Sequence, residues 1–258
     1  MNEKVLKIRE FNVHKIAPTY KNRNEKSQGG SKVVVIGKPG TGKSTLVKSL
    51  IYSKRDIFPM GVVCSGTEES NGFYGKFFPS SFVYNDVNLD KIHDFVIRQK
   101  YAKQHLPENP WGVLVMDDCS MDKKIYNDPI FRGLFMNGRH WKMFYILALQ
   151  YAMDIKRDIR GNIDYVFILR EPNLTNRKTL WENYAGVIPD FKMFCDIMDK
   201  VTENYTALVI DNTTQSNSWE DCVYFYKPRI PPSDWKFGSK DFWNHHYARY
   251  DSKYADRF

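Results

Sequence analysis

Four residues in the stretch Lys32 to Thr45, KVVVIGKPGTGKST, have the types and spacing to hold a chain of phosphates: Gly37, Gly42, Lys43 and Ser44. They fill the fixed places of the G-x-x-x-x-G-K-[S/T] loop, with Lys38, Pro39, Gly40 and Thr41 between them and Thr45 directly after. Glycines let the backbone turn its N–H groups inward. The loop then becomes an anion nest at a helix N-terminus, where the dipole also favours negative charge. Lys43 offers a point charge to the terminal phosphates, and the Ser44 hydroxyl is placed to hold Mg²⁺. A plain glycine-rich turn is the bland alternative. The apolar strand before the loop and the LVKSLIYS helix pattern after it are the context that separates the two.

Binding alone is not hydrolysis, which also needs an acid to hold the metal and a group to orient water. VLVMDD supplies both at one strand end: Asp117 to hold Mg²⁺ and Asp118 to act as base. Ligands of open α/β sheets lie beyond the carboxyl ends of the strands, where this pair falls. A later strand ends in LALQ, which puts Gln150 at the same edge to sense the terminal phosphate or position water; its alternative is a capping or loop glutamine. Arg139 in NGRHW is the first choice for an arginine that neutralises charge in a neighbouring subunit's site. Arg170 is its rival, and either could equally be structural or contact DNA. His140 reads as a packed histidine. His245 and His246 have no partner at ligand spacing.

These residues need strands and helices in alternation. Val5 to Val13 reads as a strand, followed by a polar segment with the composition of a flexible lead-in, KNRNEKSQGGS. Thr45 to Lys54 has a helical pattern that Phe58-Pro59 stops. Gly61–Ser65 and SFVYN read as strands, and Leu89 to Gln104 has the helical period. Trp111 to Asp118, Met143 to Gln150 and Tyr165 to Arg170 are continuous apolar runs, as expected of strands buried on both faces of a parallel sheet. FKMFCDIMDKV reads as a helix, then TALVID and CVYFYK as two more strands. The fold class is therefore α/β: a P-loop NTPase with a mainly parallel central sheet flanked by helices. The segment Phe73 to Phe82 reads as a core-packed hairpin rather than a pore or partner loop.

The chain has 258 residues, enough for one α/β core. Three segments are expected: a basic N-terminal arm (1–30), the ATPase domain (31–227) and a C-terminal tail (228–258). No run of 18 apolar residues occurs, so no transmembrane segment is expected, and the polar N-terminal run predicts no secretory signal. The four cysteines lie far apart, without a C-x-x-C pair, which points to reduced thiols. Residues 1–32 carry +5 and residues 227–258 carry +3, which accounts for the whole net charge of +8 and leaves the middle neutral. Basic ends on a balanced core suit a polyanion, and they also serve solubility.

GKPGTGKST, VLVMDDC, NGRHW and LALQY, in that order, resemble the genome-packaging ATPases of large nucleocytoplasmic DNA viruses and virophages, a branch of the FtsK–HerA superfamily. The likeness spans roughly residues 30–227. It implies ATP and Mg²⁺ as cofactors, double-stranded DNA gripped without sequence preference, and a pentameric or hexameric ring with capsid or portal proteins as further partners. It also implies residence in the host cytoplasm, at viral factories, or in the virion. Most relatives across the superfamily have Glu where Asp118 stands, one methylene longer. Two other readings compete with a motor: a switch or assembly scaffold that hydrolyses ATP without moving DNA, and a nucleotide kinase. For the kinase, no arginine cluster over an acceptor site is found.

Overall fold

The computed structural model describes residues 7–106, 108–119, 125–152 and 155–250. The outermost parts of both basic ends, with Val5 and Leu6 of the expected first strand, lie outside them. In chain order the strands are β1 (Arg9–Glu10), β2 (Lys32–Ile36), β3 (Met60–Ser65), β4 (Val83–Tyr84), β5 (Gly112–Asp117), β6 (Met143–Leu149), β7 (Tyr165–Ile168), β8 (Ala207–Asp211) and β9 (Val223–Tyr226). The helices are α1 (Lys43–Tyr52), α2 (Glu68–Asn71), α3 (Leu89–His105), α4 (Pro129–Asn137), α5 (Arg157–Arg160), α6 (Leu174–Tyr184), α7 (Phe191–Val201), α8 (Trp219–Cys222) and α9 (Lys240–Tyr247).

The strands form one sheet in the order β1-β9-β8-β7-β2-β6-β5-β3-β4. All neighbours pair in parallel except β7 with β8 and β8 with β9, so β8 alone runs against the rest of the described sheet. The middle strands are apolar except at their ends, Lys32 of β2 and Asp117 of β5, because both faces are covered. Val34 and Ile36 of β2 face one layer, built on α3, α4, α6 and α7. Val33 and Val35 face the other, built on α1, α9 and the segment around Phe77.

Local chemistry sets these helices. Asn88 caps α3 by accepting from Lys91 N, and Asp190 caps α7 by accepting from Met193 N. In α7, Phe194, Ile197, Met198 and Val201 are buried, a spacing that lays one stripe on the sheet. Helix α1 begins at Lys43, inside the glycine motif, rather than at Thr45, because the loop leads straight into its first turn.

Two segments depart from their sequence reading. The polar lead-in and the residues just before it are held by two lysines: Lys54 Nζ donates to the carbonyls of Ile16 (2.5 Å), Pro18 (3.2 Å) and His14 (3.3 Å). Lys142 Nζ donates to those of Gln28 (2.6 Å), Glu25 (2.9 Å) and Lys26 (3.0 Å). Phe11, Ile16, Phe237 and Phe242 are buried in the second layer, so both basic ends contribute to the core. The segment Phe73–Phe82 packs into the core, with Tyr74, Phe77 and Phe78 buried. It is a run of turns rather than a hairpin, and it leads into β4, which joins β3 in parallel.

Candidate active site

The sheet register brings the carboxyl ends of four strands into one row. Ile36 of β2 pairs with Leu149 of β6 and with Ile168 of β7, and Asp117 of β5 pairs with Ala148 of β6. β6 therefore stands between the strand that feeds the glycine loop and the strand that ends in the two acids. Gln150, one residue beyond β6, emerges between them.

The loop from Gly37 to Gly42 is a tight nest. Thr41 pins it from inside, its hydroxyl donating to Lys38 O at 2.6 Å. A Cβ at Gly37 would stand 2.6 Å from Thr41 Oγ1 and 2.8 Å from Leu169 Cβ, so no larger residue fits there without displacement. Gly42 has φ +94°, a left-handed conformation that glycine adopts without strain, and it turns the chain into α1. Lys43 and Ser44 follow on the first turn of that helix.

The side chains predicted from the sequence meet beyond this nest. Ser44 Oγ donates to Asp117 Oδ2 at 2.7 Å. Lys43 Nζ lies 3.6 Å from Asp118 Oδ1, and Gln150 Nε2 donates to that same oxygen at 2.6 Å. Asp118 has φ 54°, so the strand end kinks and its carboxylate turns toward the lysine, away from the path of Asp117. Asp117 itself is fully buried, and its Oδ1 has no hydrogen-bond partner among the described residues. Burial pushes its carboxyl pKa up, against the pull of the Tyr74 and Ser44 hydroxyls and of Lys43. An orphaned, buried carboxylate oxygen beside a serine hydroxyl is a hard, oxygen-only donor set, which suits Mg²⁺.

Two residues that the sequence reading missed complete the site. Tyr74 OH donates to Asp117 Oδ2 at 2.7 Å, so the acid is held from two sides. Nothing local in NGFYGKFF marks this tyrosine, because its partner lies on another strand. Glu171 follows Arg170 at the end of β7 and ion-pairs with Lys38 of the loop at 2.8 Å. Its carboxylate also accepts from Asn173 N at 2.8 Å and Asn176 Nδ2 at 3.0 Å. Burial pushes the Glu171 pKa up, but Lys38 and these two donors outweigh it, and the result lies below the ordinary value. Its position at a carboxyl strand end is the signal that could have found it.

Arg139 is not brought to this cluster. It lies in the turn Gly138–Trp141 before β6, where the Gly30 amide donates to its carbonyl, and it is exposed. The seven residues of β6 separate it from Gln150, roughly 23 Å of strand. Arg170 is exposed at the same edge as the loop.

No family model matches the chain. The uncharacterized protein 075L of Invertebrate iridescent virus 6 is 49% identical over 96% of this chain and 96% of its own length. Protein 015R of Frog virus 3 is 41% identical over 92% and 74%, and protein L437 of Acanthamoeba polyphaga mimivirus 34% identical over 88% and 82%. Among solved structures, the genome packaging NTPase B204 from Sulfolobus turreted icosahedral virus 2, in complex with AMPPCP, matches with a TM-score of 0.57 at 18% identity, covering 78% of this chain and 98% of that one. The pCW3 conjugation coupling protein TcpA, with ATPγS, matches with a TM-score of 0.58 at 11% identity, covering 85% of this chain and 65% of that one. At these identities the likeness is one of fold: a P-loop ATPase sheet with the same layers.

Proposed function

Because the chain belongs to one family with protein 075L of Invertebrate iridescent virus 6 and its counterparts in other large DNA viruses, we propose that it is a genome-packaging ATPase that drives double-stranded DNA into a capsid. The observation that carries the ATPase part is the convergence of Ser44, Asp117, Lys43, Asp118 and Gln150 at one sheet edge. The fold shared with a viral packaging NTPase and a conjugation coupling protein supports the DNA part.

In this reading the backbone N–H groups from Gly40 to Thr45 hold the ATP phosphates and Lys43 neutralises the terminal one. Ser44 and Asp117 would hold Mg²⁺, which supplies positive charge against the phosphate oxygens. Asp118 accepts a hydrogen bond from the attacking water, and Gln150 fixes the carboxylate that does so. The Gln150 amide can release Asp118 for a terminal phosphate, which makes it the sensing residue. Arg139, exposed and far from its own site, serves the site of a neighbouring subunit in a pentameric or hexameric ring. DNA is gripped through its phosphates by Lys and Arg without sequence preference, so affinity falls steeply with salt. Capsid or portal proteins are the further partners, and the host cytoplasm or the virion is the place of action. No helix of the described residues is long and apolar enough to cross a membrane.

The test is ATP turnover by the full chain with and without duplex DNA. Stimulation by duplex is expected, together with loss of turnover in a folded Lys43→Ala variant. Turnover that duplex leaves unchanged would favour the switch or scaffold, and normal turnover in Lys43→Ala would remove the loop from the chemistry.

A further inference from the structure

We propose that Tyr205 is the platform on which the base of the bound nucleotide stacks. This deepens the ATPase reading and rests on it. Tyr205 lies in the connection from α7 to β8. Because β8 is reversed, its first residues sit at the same sheet edge as the last residues of β7, with Leu208 opposite Ile168. That brings the connection to the glycine loop. A Cβ built at Gly42 would stand 3.1 Å from Tyr205 Cδ1 and 3.7 Å from its Cβ and Cγ, so the ring lies along the rim of the phosphate nest.

Three features argue that this ring serves a ligand rather than the fold. Tyr205 is 67% exposed although it touches the loop, so its contact with Gly42 leaves most of the π surface open. Its backbone φ is 62°, next to Asn204 at 50°. Asparagine tolerates the left-handed region, whereas a bulky aromatic residue is strained there, and burial does not compensate for that strain here. The third feature is position. With phosphates on the amides that lead into α1, the sugar and base must leave along the rim beside Gly42, where a flat aromatic surface waits. Stacking uses the π-face that every base has, so Tyr205 adds affinity without telling ATP from GTP.

The test is equilibrium binding of ATP, GTP and inorganic tripolyphosphate, each with Mg²⁺, to the full chain. Tyr205→Ala is expected to weaken ATP and GTP about tenfold and to leave tripolyphosphate unchanged, while Tyr205→Phe binds all three like the wild type. Tyr205→Gly, which relieves the backbone, is expected to raise Tm while binding ATP as weakly as Tyr205→Ala. Unchanged ATP affinity in Tyr205→Ala, or an equal loss for tripolyphosphate, would overturn the proposal while leaving the ATPase reading intact. If the wild type bound neither ATP nor tripolyphosphate, the ATPase reading would fail first and take this one with it.

Discussion

Asp117 and Asp118 are neighbours in the chain, yet they have different environments, which suit the different work proposed for them. The first is sealed in the sheet with one oxygen unpartnered among the described residues; the second is turned out on a left-handed backbone toward Lys43 and Gln150. Tyr74 maintains the difference by donating to the same Asp117 oxygen as Ser44 of α1. Tyr74→Phe keeps the buried ring and removes only the hydroxyl. We expect it to raise the Mg²⁺ concentration needed for half-maximal turnover by about tenfold or more, the usual effect of losing a partner to a metal-holding carboxylate. Binding of ATP without metal should change little. An Mg²⁺ titration of turnover, beside metal-free ATP binding, checks both; an unchanged titration would make Tyr74 a packing residue only.

At the scale of elements, the anchoring of residues 14–18 by the turn that leaves α1 has a pH signature. Burial pushes Lys54 down to about 7 from the ordinary lysine value of 10.5. Between those values the unfolded chain binds more protons at this group than the folded chain, so stability should rise with pH from about 7 toward 10 and level off below 7. The span is on the order of a few kcal/mol. Denaturant unfolding of the wild type and of Lys54→Met across this range is the measurement, and the rise should be absent in the variant. An equal rise in both would assign it to other groups. Lys54 also illustrates what the chain does not reveal locally. The middle strands and α7 could be read from apolar runs and helical spacing, and the phosphate loop and the acid pair from their own motifs. A lysine that strings up three carbonyls of a polar segment, or a tyrosine that braces an acid on another strand, leaves no local pattern, because the partners meet only after the sheet has formed. The edge strands were hardest to delimit: β1 and β4 are two residues each, too short for alternation to build up.

For the whole molecule, the distance between Arg139 and its own nucleotide edge makes a statement about assembly. If Arg139 completes a nucleotide site as proposed, that site is a neighbour's, so activity should be shareable between defective subunits. Arg139→Ala and Asp118→Asn chains, each inactive alone, are expected to recover a measurable part of wild-type turnover when mixed. No recovery, with recovery when Arg170→Ala replaces Arg139→Ala, would transfer the role to Arg170. The margins of the sheet constrain how such neighbours can meet. With just two paired residues at either border, neither flank of the described sheet offers a ladder long enough for another chain to zip onto. In the ring proposed above, copies would therefore recognise one another through side chains, which would leave each contact free to slide or hinge.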